Sequence, residues 1–251
     1  MNNVGDAQAA REFLGRWPVK ALTWGRPYTW SGINNLAARH AGGDHLLFLN
    51  DDVEPLSPGW LKQMVRLGRR LAVGAVGALL RYPNGTIQHG GITISNRSGC
   101  GSHLFRHRTG REPAVAEIAG YTRECRAVTG ACLLTRRECF EALGGFDEDM
   151  QLVANDIDYC LRLEERGYST VMAAQAALTH HEGLSRGATP EAGDIERFWR
   201  RWRARLSADD PFTNPNLDVH RYDWSVDPQA RAALTARIWP QRCGTNERIV
   251  R

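Results

Sequence analysis

The stretch His45-Leu46-Leu47-Phe48-Leu49-Asn50-Asp51-Asp52 decides how this chain is read, because an apolar run there ends on two adjacent carboxylates. Bounded by Gly42-Gly43 before it and Pro55 after it, the run has the length and flanks of a buried strand. In open α/β sheets, ligands gather at the carboxyl ends of strands. Two acids placed there repel each other unless they share a cation or a metal carried by a diphosphate. The plain alternative for an isolated Asp-Asp is a solvated turn, and the rest of the chain weighs against it.

The composition is that of a globular enzyme domain, with 42% hydrophobic and 24% charged residues in 251. That length suits one domain, alone or with an appendage. A formal charge of +4 permits attraction to phosphates or lipid headgroups without demanding it, and no nucleic-acid partner is expected. No apolar stretch is long enough to span a bilayer, and Met1-Asn2-Asn3-Val4-Gly5-Asp6 does not read as a signal peptide. A cytoplasmic protein is therefore expected. The cysteines Cys100, Cys125, Cys132, Cys139, Cys160 and Cys243 include no Cys-x-x-Cys pair, which fits free thiols better than disulfides or zinc.

Strand and helix signals alternate along the chain. A short helix is predicted over 6–16 and a strand over 19–23. Ser31 is placed to cap a helix through Ile33, Leu36 and Ala37 that ends at Gly42-Gly43. Ser57-Pro58 opens a helix over 60–71, and residues 73–80 form an apolar strand. Pro83-Asn84-Gly85 is a turn, 86–95 is extended, and 96–124 reads as a long surface loop. Order returns over 127–135, followed by a helix over 138–143 that Gly144-Gly145 closes. A helix over 156–166 and a strand over 168–173 come next. A basic, tryptophan-bearing helix over 196–206 leads into a Pro- and Asn-rich tail. The expectation is an α/β domain over 1–187 and a helical or irregular appendage over 188–251.

Two further centres carry chemistry. Asp156 follows Asn155 at a predicted helix start, where N–H groups and the helix dipole favour a carboxylate. Either residue reads as a simple cap. A fixed carboxylate facing the strand-end cleft can also take a proton from an attacking hydroxyl. Asp158 and Arg162, four apart, read first as a helical ion pair. The other centre is His180-His181-Glu182-Gly183-Leu184-Ser185-Arg186. One histidine can offer an imidazole to a metal, and Arg186 can pair with a diphosphate, although a histidine pair in a loop is more often solvated.

Taken in order, a series of segments resembles the family-two glycosyltransferases of the GT-A fold. They are Leu49-Asn50-Asp51-Asp52-Val53-Glu54, Val73-Gly74-Ala75-Val76-Gly77 and Pro83-Asn84-Gly85-Thr86-Ile87-Gln88-His89-Gly90-Gly91. Val128-Thr129-Gly130-Ala131-Cys132-Leu133-Leu134, Gly144-Gly145-Phe146-Asp147-Glu148, Asn155-Asp156-Ile157-Asp158 and His180-His181-Glu182 complete the series. The likeness is nearest to bacterial enzymes of O-antigen, rhamnan-type and other surface polysaccharides, and it runs to about residue 187. It implies a Rossmann-like mixed sheet flanked by helices, a UDP- or dTDP-linked sugar donor, Mg²⁺ or Mn²⁺, and usually inversion at the anomeric carbon. The implied acceptor is a glycan or a lipid-linked sugar.

By the resemblance, Asp52 is the metal-binding acid, and Asp51 is its neighbour toward the donor ribose and the metal. Asp156 is the general base. His180 completes the metal site, with His181 as the fallback. Thr129-Gly130-Ala131 lines the sugar and acceptor pocket, and Arg186 faces the diphosphate. Asn2-Asn3-Val4-Gly5-Asp6 is similar to the turn after the family's second strand. The expectation is thus an N-terminally truncated sheet with an open edge near 19–23. An inactive remnant or binding module on the GT-A core, and a nucleotide-sugar hydrolase on a related fold, are the competing readings. A nucleotidyltransferase is disfavoured by the lack of a Gly-rich phosphate loop near the N-terminus. Phe198-Trp199-Arg200-Arg201-Trp202-Arg203 has two readings, peripheral contact with lipid headgroups at the inner face of the plasma membrane, and packing of its tryptophans on the core. Packing is preferred.

Overall fold

The computed structural model describes residues 15–16, 19–94, 100–181, 192–207 and 210–212. The helix predicted over 6–16 (apart from its last two residues), Glu182, Arg186, Cys243 and the tail lie outside the described residues.

The strand Val73–Arg81 (β3) is buried at every position but its last, which a run of small and branched apolar residues permits only at the centre of a sheet. It forms the middle of a seven-stranded mixed sheet. Along the path stand β1 (His45–Leu49), β8 (Cys132–Arg136), β3, β9 (Ser169–His180) and β2 (Val53–Pro55). Strand β4 (Ile87–His89) joins β3, and β7 (Arg123–Cys125) joins β9. Strands β5 (Ile92–Thr93) and β6 (Ser102–His103) form a separate pair. Both β1 and β3 run antiparallel to β8, and β3 runs parallel to β9. The carboxyl ends of β1, β3 and β9 therefore lie at one side of the sheet.

Helix α2 (Trp60–Gly68) covers one face. Its Met64 and Leu67 pack with Val76, Ala78 and Leu80 of β3 and Leu178 of β9. The other face carries α1 (Trp30–His40), α4 (Arg137–Ala142), α5 (Asn155–Glu165) and α6 (Ala192–Trp202). Trp30, Phe140, Tyr159, Phe198 and Trp202 meet Phe48, Ala75 and Leu133 there. The ring of Phe146 lies 4.7 Å from that of Phe48 and 4.8 Å from that of Trp30, both edge-on. The five described cysteines are free thiols. Burial pushes Cys132 and Cys160 up to about 12 and Cys100 up to about 11, so none of these three supplies a thiolate at neutral pH. No helix among the described residues is long and apolar enough to cross a membrane.

Several expectations need correction. No strand forms over 19–23, where Val19 and Leu22 are exposed. The edges of the sheet path are instead β1 and β2, whose outer sides pair with no strand among the described residues. Thr29, not Ser31, caps α1 by accepting from the Gly32 N–H; the Ser31 hydroxyl donates to the Met150 carbonyl. The span 96–124 holds β6, α3 (Pro113–Ala119) and β7, with Leu104, Phe105 and Val115 buried. Strand β9 runs seven residues beyond the expected end, so His180 closes a strand rather than sitting in a loop. The basic helix begins earlier than expected, at Ala192. Its Phe198 and Trp202 are buried in the main core and Trp199 packs against it, in line with the preferred reading of these tryptophans.

Candidate active site

Strand register brings the first and third chemical centres together. Val53 of β2 stands opposite His180, and the His181 N–H donates to the Asp52 carbonyl at 3.0 Å. The His180 imidazole then faces the Asp52 carboxylate, with Nε2 3.1 Å from Oδ1. His180 Nδ1 lies 2.6 Å from Gln88 Oε1, an acceptor, so in the neutral ring Nδ1 carries the proton and Nε2 the lone pair. Asp52 Oδ1 is buried and accepts no hydrogen bond. Two acceptor atoms thus point at one space. Adjacent ligands of an octahedral divalent cation stand about 3.0 Å apart, so the pair fits such an ion.

His181 faces elsewhere, its Nε2 lying 3.5 Å from Glu54. Asp51 is exposed in the turn after β1. Among the described residues no three His, Cys, Asp or Glu side chains form a group that could hold a metal. Among these residues Asp51 therefore does not complete a triad with Asp52 and His180.

The second centre is built on the neighbouring strand. Pairing of β1 with β8 continues past Leu49 and Cys132, as the Asn50 N–H donates to the Ala131 carbonyl at 3.0 Å. Gly130 donates its N–H to Asp156 Oδ2 at 2.8 Å, and Asp156 Oδ1 accepts from the Ile157 N–H at 2.8 Å. A Cβ on Gly130 would come within 2.5 Å of the Trp30 ring, so only glycine lets the backbone lie between the indole and the carboxylate. Asp156 is half-buried in the first turn of α5, and the cap position belongs to Ala154 without a side-chain bond. Asp158 is structural. Wholly buried, it accepts from Arg162, Arg201 and Trp202 at 2.7–2.9 Å and ties α5 to α6.

Residues 8–203 match the model of the glycosyltransferase-like family 2. The chain belongs to this family. It is 40% identical over 205 residues to the O-antigen biosynthesis protein RfbC of Myxococcus xanthus, an alignment covering 80% of this chain and 16% of that protein. It is 29% identical over 154 residues to N-acetylglucosaminyl-diphospho-decaprenol L-rhamnosyltransferase of Mycobacterium tuberculosis, covering 59% of this chain and 50% of the relative. The chain thus spans at most half the length of either. Among solved structures, GalNAc-T7 with UDP, GalNAc and Mn²⁺ superposes with a TM-score of 0.64 at 16% identity, over 82% of this chain and 41% of that one. The mannosyltransferase PcManGT of Pyrobaculum calidifontis, in complex with GDP-Man and Mn²⁺, gives 0.50 at 18% identity, over 70% and 44%. The fold of this family-2 domain is therefore GT-A.

Sequence reasoning gave no role to Gln88, His89 or Asn50. In the β3–β4 pair, Leu80 stands opposite His89 and Arg81 opposite Ile87, so Gln88 is the extra residue of a bulge. A bulge re-aims its side chain, here onto His180. The Asn50 amide lies 3.4 Å from the same Nε2. His89 is wholly buried, and its Nε2 accepts from the Thr129 N–H at 3.4 Å. Its Nδ1 lies 3.0 Å from His103 Nδ1.

Burial, and then the fields of His103 and Arg123, hold His89 well below the ordinary 6.5. The unfolded chain takes up this proton near 6.5 and the folded chain does not. Stability from His89 is therefore complete above pH 6.5 and declines as the pH drops below it. Urea unfolding at pH 7.5, 6.0 and 5.0 should show that decline, with a shallower one in His89→Gln. Equal declines in the two proteins would exclude His89 as the source.

Proposed function

We propose that this chain transfers a sugar from a nucleotide-diphosphate donor to a hydroxyl of a glycan or lipid-linked acceptor, inverting the anomeric carbon. The observation that carries the reading is the meeting of Asp52 Oδ1 and His180 Nε2 as two acceptors, one strand away from a segment held by Asp156. A bound Mg²⁺ or Mn²⁺ would offset the charge of the departing diphosphate. Asp52 and His180 are the residues that would hold that ion. Asp51 stands toward the donor ribose, Thr129-Gly130-Ala131 lines the sugar pocket, and Arg186 pairs with the diphosphate. The Asp156 carboxylate receives the proton of the acceptor hydroxyl as that oxygen attacks the anomeric carbon. Fixing both reactants here converts an encounter into a positioned step.

Relatives named for O-antigen biosynthesis and for a rhamnosyltransferase acting on a diphospho-decaprenol sugar support a role in surface-polysaccharide synthesis. A lipid-linked acceptor would place the reaction at the cytoplasmic face of the membrane. The buried Trp202 and packed Trp199 argue that any membrane contact there does not use these tryptophans.

Calorimetric titration of the chain with UDP and with dTDP, each with Mn²⁺ and with a chelator, tests the reading. Binding of one nucleotide that requires Mn²⁺ is expected. Folded protein that binds neither nucleotide with Mn²⁺ would overturn it.

A further inference from the structure

Helix α5, which carries Asp156, starts without a side-chain cap, and the residue before it, Ala154, has φ 62°. An alanine adopts that left-handed conformation only where its surroundings impose it. The turn leading into it, Gln151-Leu152-Val153, is gripped from α6. Asp194 is buried, and its Oδ1 accepts from the Gln151 N–H at 3.1 Å. Its Oδ2 accepts from the N–H groups of Leu152 and Val153 at 2.8 and 3.0 Å. Three successive backbone donors on one carboxylate form a closed anion nest. From the other side, the Trp30 N–H donates to the Gln151 carbonyl at 2.7 Å and the Ser31 hydroxyl to the Met150 carbonyl at 2.7 Å. The ring of that same Trp30 packs on Gly130, whose N–H bonds Asp156.

We infer that Asp194 is a positioning residue: by holding the 151–153 turn it forces Ala154 into its left-handed state and sets Asp156 against Gly130. Asp194 touches no reacting group in this account. It acts through Asp156, and its importance for turnover rests on the reading of Asp156 as the base. Helix α6 is fastened on both sides of that residue, by Asp194 to the turn before it and through Arg201 and Trp202 to Asp158 after it. A surface helix remote from the two substrates in sequence thereby becomes part of the site's frame.

Amide exchange followed by NMR on the full chain reads this placement without any substrate. In Asp194→Asn, the amides of Gly130 and Ile157, which donate to Asp156, should exchange at least about tenfold faster, while those of Val76 to Leu80 in β3 keep their rates. Asp194→Glu, which keeps the charge but displaces it by a methylene, should fall between, and it replaces the Asn variant if that one does not fold. UDP titration in Mn²⁺ should keep its stoichiometry. Faster exchange confined to 151–153, or a uniform rise that includes β3, would overturn the inference. An Asp156→Asn chain with full transfer activity would instead remove the base reading and leave the exchange result standing.

Discussion

Asp156→Asn should lower sugar transfer by about 10²–10⁴-fold, roughly 2.7–5.5 kcal/mol in the barrier, while leaving Mn²⁺-dependent nucleotide binding in place. The amide has the carboxylate's shape but cannot accept the acceptor's proton. It also keeps an oxygen for only one of the two N–H groups, Gly130 and Ile157, that Asp156 now serves. A stability loss of about 1–3 kcal/mol accompanies it for that reason. The two effects separate when the transfer rate is divided by the number of donor sites found by titration. A normalised rate equal to that of the unaltered chain would take Asp156 out of the mechanism. Loss of nucleotide binding together with transfer would make it a residue of the fold alone.

How far the sequence led depends on which interactions are local. Strands β1 and β3 were legible because continuous apolar runs between glycine, proline and turn residues leave little other choice. Helix α5 was legible to within a residue, as was its Asp158–Arg162 pair. Residues 19–23 carry the same local signal as a strand, yet no neighbour among the described residues offers them a ladder. Strand β9 was cut short because Ala173–Ala177 is poor in strand-formers and contains a register shift against β3, from Ala78↔Ala173 to Leu79↔Ala177. Only its long pairing with β3 and β2 shows that it reaches His180.

The candidate site divides the same way. Residue chemistry and motif order pointed to Asp52, Asp156 and His180. What the sequence could not show was which histidine faces the acid, since adjacent strand residues point to opposite sides and the register decides between them. Gln88 and Asp194 were illegible for a deeper reason. One acts through a bulge and the other through a turn from a distant helix, and neither leaves a mark in its own neighbourhood.

That bulge makes the metal pair testable from two distances. Asp52→Ala should abolish the Mn²⁺ dependence of nucleotide binding, since the remaining imidazole gives the ion a single protein ligand. Gln88→Leu should be milder, costing about 10–100-fold in Mn²⁺ affinity, the usual loss when the partner that orients a ligating histidine is removed. Leucine fills a similar volume but cannot accept the Nδ1 proton of His180, so the ring is free to turn and the proton to move to Nε2, where it would face the metal. Titrating Mn²⁺ at fixed nucleotide concentration orders the variants as unaltered chain, Gln88→Leu, Asp52→Ala. If Gln88→Leu matched the unaltered chain, His180 would not owe its tautomer to Gln88. If Asp52→Ala kept its Mn²⁺ dependence, the ion would be held elsewhere. The gap between the two variants separates losing a ligand from losing its aim.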